Sequence, residues 1–480
     1  MAVATKPTAP SEPAPSDLVG SAPPSPAGPA EPGDLARLPC PPPVPLPRAL
    51  QVLRFNQRQI EFVFHARRKL GEVFRMSGVV AGQPVVTSHP DHVRSLFTAK
   101  VPRVPSLTAE SPLRPVVGGN STLTAQGERH MRQRKLLLPP FHGEAIERYV
   151  AMIADVAERE IDRWPQGRPF ALAPRMQAIT LDVIMAGIFG IEGRPRIGTA
   201  EHGVRTATKQ LLAASTWPLA QVAELMNLGS DEPVGPTRVG LSLLDRPTYA
   251  VIAKRRRAGD LSERGDILSL LLRARTEDGE ALTDRELRDE LLTLVLAGHE
   301  TTANQLAWTW ERLVRTPAAY DRLIAAVRED GEDKADVVEA TITESMRSRP
   351  VIPMVGRRVT VPWRLGDYVV DADTPVAISI LLVHHREDVY PEPFAFRPER
   401  WTGHKPGTYE WIPFGGGTRR CLGAALAMAE QRVVLEAMAR RLDLEAADPA
   451  PEHAVHRNVT MIPAHGAKVV AQGAQVARPR

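Results

Sequence analysis

Phe414-Gly415-Gly416-Gly417-Thr418-Arg419-Arg420-Cys421-Leu422-Gly423 is the stretch from which the rest of the chain is read. Three consecutive glycines give a loop whose backbone can approach another group closely. Cys421 opens a segment, Ala424 to Glu430, built of strong helix formers. A thiol at a helix N-terminus sits among free amides at the positive end of the helix dipole, which favours the thiolate, and Arg419 and Arg420 push the same way. Such a thiolate is a nucleophile or a metal ligand. A lone cysteine is more often an inert buried residue, so its neighbours must decide.

Spacing tests the nucleophile readings. A phosphatase-type loop carries arginine six residues after the cysteine, where this chain has Ala427. A nucleophile elbow carries glycine two residues before the nucleophile, where it has Arg419. The Gly-Lys-Ser/Thr end of a phosphate-binding loop is absent. An iron ligand survives this elimination. Phe414-x-x-Gly417-x-Arg419-x-Cys421-x-Gly423 resembles the haem-binding signature of the cytochrome P450 superfamily, soluble bacterial members included. The resemblance implies that Cys421 is the axial thiolate of a haem b iron. It places Phe414 against that ligand and Gly415 in the cofactor loop. Arg419 would hold a propionate, where a planar fork suits a carboxylate. Gly423 would let the following helix approach the porphyrin.

Further segments stand in the same order as in that family. Glu344-Ser-Met-Arg347 alone reads as a solvated i,i+3 pair. With Phe396-Arg-Pro-Glu-Arg400-Trp401 downstream it resembles the family's buried charge triad, implying a structural role for Glu344, Arg347 and Arg400. Trp401 stands where the family usually has Phe. His130 and Arg134 share a helix face at i,i+4 and resemble propionate partners; Arg357 resembles a third, with Arg358 a near-equal candidate. Asp371-Ala-Asp-Thr-Pro375 replaces the family's usual Pro-x-Gly-Thr turn, and Asp373 is expected to take the left-handed conformation.

A long helix is expected from a capping box at Thr283 and Glu286 to Arg315, where Thr316-Pro317 ends it. Its middle, Leu291 to Gly298, is apolar except Thr293, which predicts burial on every side. Ala297-Gly-His-Glu-Thr-Thr302 then brings polar groups into that setting, where a threonine can bond back to a carbonyl one turn earlier. The resemblance implies an oxygen-binding groove with Glu300 and Thr301 as the acid–alcohol pair that passes protons on. This pair favours oxygen activation with external electrons. The alternatives are a haem-thiolate isomerase or peroxygenase, and a non-catalytic haem-binding protein.

Over 480 residues, 43% hydrophobic and 24% charged residues fit a soluble globular protein. A net charge of +4 does not call for nucleic acid. Cys40 and Cys421 are the only cysteines, too few for a disulfide framework, which fits a reducing cytoplasm. No apolar run reaches transmembrane length and no signal peptide is evident. Residues 1–34, rich in Pro and Ala, are expected to be disordered. Residues 35–480 are expected to form one mainly helical domain. Short strands are expected at Val73–Met76, Val79–Val80 and Pro84–Thr87, and a second β-rich stretch from Arg357 to Ile380.

The fold implied by resemblance is mainly α with small β-sheets, a triangular helical prism with a β-rich lobe. No flavin or ferredoxin motif accompanies it. Electrons from NAD(P)H are therefore expected through a separate ferredoxin and ferredoxin reductase, or a flavodoxin. A basic face of Arg132, Lys135, Arg420 and Arg432 is the expected dock. The substrate is expected to be a lipophilic small molecule such as a fatty acid, terpenoid or polyketide. Its pocket is expected to draw on residues 102–123, 211–226 with Trp217, 295–302, 350–355 and 460–463.

Overall fold

The computed structural model describes residues 19–77, 82–111, 113–214, 226–227, 230, 232–457 and 459–473. Its axis is the helix Asp284–Leu313. Thr283 Oγ1 accepts the Glu286 N–H at 3.2 Å, and Glu286 Oε2 accepts the Thr283 N–H at 2.9 Å, so the predicted capping box forms. Helical hydrogen bonding ends at Leu313, and Thr316-Pro317 starts the next helix, Pro317–Arg328.

The central helix packs along Ala173–Phe189, whose Ile179, Met185 and Ile188 are fully or almost fully buried. The helix Ala424–Arg441, which follows Cys421, packs on Glu144–Ile161 and beneath the central helix. All four helices share one apolar core that includes Ile153, Leu306 and Met438. The expected all-round burial of Leu291–Gly298 needs correction. Ala297 is exposed and Leu294 and Leu296 are only half-buried, because that face borders a cavity. Apolar side chains there serve a lining rather than a packed interior.

The β lobe confirms two of the three early strands. Val73–Arg75, Val85–Thr87, Thr374–Ser379 and Met354–Val359 lie side by side in that order, with only the middle pair parallel. Val79–Val80 lies outside the described residues. Trp363–Leu365 and Tyr368–Val370 form a hairpin within the second β-rich stretch. Asp373 turns the chain at φ 58°, as its sequence context requires.

The expectation of disorder over 1–34 is corrected for residues 19–34. Ala27–Pro29 pairs antiparallel with Trp363–Leu365, and Pro32–Arg37 is a short helix. Asp91 accepts the Ser25 N–H at 2.9 Å, His92 shares a 2.9 Å bond with Ser25 Oγ, and Arg364 pairs with Asp34. A segment poor in apolar mass is held by backbone pairing and by side chains of its neighbours. Residues 1–18 lie outside the described residues.

Candidate active site

A cavity of about 1190 Å³ opens beside the middle of the central helix. Its floor is the loop Phe414–Gly423. The Cys421 N–H donates to Phe414 O at 2.9 Å, which closes the loop on itself. Gly417 has φ 65°, and a Cβ there would lie 2.1 Å from Phe97 O, so the protein's own packing demands glycine. Gly423 is different: a Cβ there meets only Phe141, at 4.0 Å. Its small size matters on the side that faces the cavity.

Cys421 is enclosed by protein yet open to the cavity. Burial pushes its thiol up, opposed by the Gly423 N–H and by Arg420 and Arg134. The helix start and arginines do favour the thiolate, as expected, but burial outweighs them. Arg419 takes no part in this; its guanidinium donates instead to the carbonyls of Thr122, Leu123 and Ala125.

One flank of the cavity collects positive charge. His130, Arg134, Arg357 and Arg419 all line it. Burial, then repulsion from Arg419, lowers Arg357 to about 10. Burial, then Arg134, lowers Arg419 to about 10. His130 falls to about 4 through burial and both arginines, Arg419 before Arg134, and is neutral at pH 7. Among the described residues none of the three arginines has a carboxylate ion-pair partner. Cations held from water without a counter-charge are costly, so an anionic group here would be stabilised. Arg358 is not part of it. It points outward, paired with Glu110 at 2.7 Å and bonded to Asp373 O.

Glu300 and Thr301 line the same cavity from the central helix. Thr301 Oγ1 donates to Ala297 O at 2.6 Å, so the hydroxyl oxygen can still accept. Behind the loop, Glu344, Arg347 and Arg400 are completely buried. Arg347 binds Glu344 bidentately at 2.7 and 2.8 Å, and Arg400 Nε approaches it at 3.2 Å. Trp401 Nε1 donates to Glu344 at 3.0 Å, a bond the family's usual Phe could not make. Arg347 also donates to His384 O, while His384 Nε2 accepts the Ile412 N–H at 2.8 Å. The triad thereby fixes the chain leading into the cysteine loop.

The thiol floor, the cationic flank and the glycine-thinned approach fit an iron porphyrin with two propionates. The comparisons agree. The cytochrome P450 family model matches residues 38–470.

The chain belongs to the cytochrome P450 family.

A Mycobacterium tuberculosis relative named cytochrome P450 137 is 34% identical over 450 residues, covering 89% of this chain and 90% of the relative. Cytochrome P450 138 of Mycobacterium bovis is 35% identical over 440 residues, covering 90% and 97%. Two solved P450 structures share the fold at about a fifth sequence identity. The retinoic-acid-bound cyanobacterial CYP120A1 has a TM-score of 0.74 at 22% identity, covering 91% of this chain and all of that one. The P450DA haem domain has 0.75 at 21%, covering 91% and 98%. A P450 of this family is a haem-thiolate monooxygenase. No helix among the described residues is long and apolar enough to cross a membrane.

Several features of this P450 site were not visible in the sequence. Tyr149, Met152, Ile184 and Ile188 form an unforeseen cavity wall. Glu430, on the helix after Cys421, is buried at the cavity edge and pushed up to about 8 by burial alone. In the sequence it reads only as a helix former. Trp217 lies outside the described residues. Val295, expected in the wall, packs into the core. The residues expected to form a basic face are mostly paired within the chain: Arg132 with Glu280 and Glu286, Lys135 with Glu277, and Arg432 with Glu339. Of those four, only Arg420 has no acidic partner among the described residues.

Proposed function

We propose that this P450 inserts one oxygen atom from O2 into a lipophilic small molecule, with electrons delivered by a separate ferredoxin or flavodoxin. The observation that carries this reading is a thiol open to an apolar cavity whose wall also holds an acid–alcohol pair and cations without acids. When bound, the haem supplies the redox chemistry, in which R–H, O2, two electrons and two protons become R–OH and water.

In this reading Cys421 holds the iron. His130, Arg134, Arg357 and Arg419 hold the propionates, gaining the counter-charge that the protein does not give the arginines. Arg419, anchored by its bonds to the Thr122, Leu123 and Ala125 carbonyls, would offer its remaining donor capacity to a carboxylate. Thr301, its proton committed to Ala297 O, accepts a hydrogen bond in the reaction space and fixes where protons enter. Glu300, the residue before it, resupplies them. The apolar wall of Met152, Val183 and Ile184 excludes bulk water and favours an apolar substrate.

Thr301→Ala tests the pair. Electron consumption should continue at a comparable rate, while product per electron pair falls roughly tenfold or more and peroxide rises to match. Unchanged product yield per electron pair would remove Thr301 and Glu300 from the proton path.

A further inference from the structure

Glu300 does not point freely into the cavity. Its Oε1 accepts Arg457 Nε at 3.0 Å and Arg457 Nη2 at 2.5 Å, and lies 3.2 Å from Thr460 Oγ1, whose single proton is shared with Arg457 O at 2.9 Å. All three donors come from one hairpin, Ala454–Arg457 paired with Thr460–Pro463, 157 residues further along the chain. It is tied down at Met461, the residue after Thr460. The Met461 N–H donates to Val351 O at 2.7 Å, and Trp308 Nε1 donates to Met461 O at 3.0 Å. Its tip reaches the cavity, where Val459 and Thr460 both form part of the wall. Val459 is 41% exposed, a large apolar side chain open toward space that a ligand would fill.

We propose that Arg457 is a positioning residue for Glu300, and that a bulky cavity ligand pressing on Val459 loosens its grip. This inference rests on the reading of Glu300 as the proton-supplying acid. With the cavity empty, Arg457 and Thr460 hold Oε1 at the hairpin. A ligand large enough to meet Val459 moves the tip, and the carboxylate is released toward Thr301 only when something is present to oxidise.

Linkage makes this measurable without turnover. If the ligand must break the Arg457–Glu300 pair, removing either partner removes that cost and tightens the ligand by the same factor. The probes are clotrimazole, a bulky lipophilic azole, and imidazole, which binds iron but is too small to reach the tip. Both are titrated by Soret shift into the holoenzyme and into Arg457→Met, Glu300→Gln and the double variant. Clotrimazole should bind about fivefold tighter to each single variant, as expected for a partly exposed ion pair, with no further gain in the double. Arg457→Lys should restore wild-type affinity, and imidazole should bind all five proteins alike. Equal clotrimazole affinity throughout, or additive gains in the double variant, would overturn the proposal. Failure of the monooxygenase reading would look different: the wild-type holoenzyme would then lack electron-dependent turnover, whatever the azole titrations gave.

Discussion

Glu344 accepts from five donors: two on Arg347, one on Arg400, the Trp401 indole and the Arg397 amide. A carboxylate this deeply buried is stable only while those donors remain. Glu344→Gln leaves two guanidinium groups facing a neutral amide and should cost about 3–5 kcal/mol in urea unfolding of the holoenzyme. Trp401→Phe removes one hydrogen bond, keeps the ring packing against Tyr390, and should cost only about 1 kcal/mol. Equal losses would mean that the cluster acts through packing rather than charge. The triad was legible in the sequence because its residue types and order resemble a known family. The indole bond was not, because nothing in Arg400-Trp401 says which way the ring turns.

Elements differ in how much of themselves they carry locally. The central helix announced its start at Thr283, and the cysteine helix its start after Gly423, because caps and propensities act within one turn. The β-rich stretch from Arg357 to Ile380 followed from its β-branched and aromatic residues, and Asp373 turns the chain between Tyr368–Val370 and Thr374–Ser379; the start of the first strand at Met354 and its pairing with Thr374–Ser379 did not. Ala27–Pro29 gave no such signal. Its strand exists because Trp363–Leu365 offers an edge, and pairing partners 336 residues away leave no trace in local composition. The contact of Arg457 with Glu300 escaped for the same reason. Cavity walls fared in between: the central-helix segment was found, while the Tyr149 and Ile184 wall came from helices that carry no motif to mark them.

The whole molecule carries several histidines buried as neutral groups. His92 and His384 are both lowered to about 3, chiefly by burial; His89 also lowers His92 and Arg347 lowers His384. The unfolded chain binds a proton at each below the ordinary value of about 6.5, while the folded chain refuses it. Stability from these two groups is therefore complete above that value and is lost as pH falls through the window down to about 3. Each should cost about 1.4 kcal/mol per pH unit within it, so the pair should lose about 3 kcal/mol between about pH 7.5 and 5.5. Urea midpoints across that range measure this, and a flat profile would mean that the histidines are hydrated or paired in solution.

The charge of the whole surface tempers the docking expectation, since Arg132, Lys135 and Arg432 already answer to the chain's own acids. Of the expected basic face, that leaves the exposed Arg420 beside the cysteine loop without an acidic partner among the described residues. The account as a whole depends on sulfur from Cys421 reaching iron. The carbon-monoxide difference spectrum of the reduced protein reads that bond directly, compared between wild type and Cys421→Ala. Wild type should give the strongly red-shifted Soret band of a thiolate-ligated haem, and the variant should lose it. Haem taken up without that band in wild type, or the same band kept in Cys421→Ala, would contradict the account.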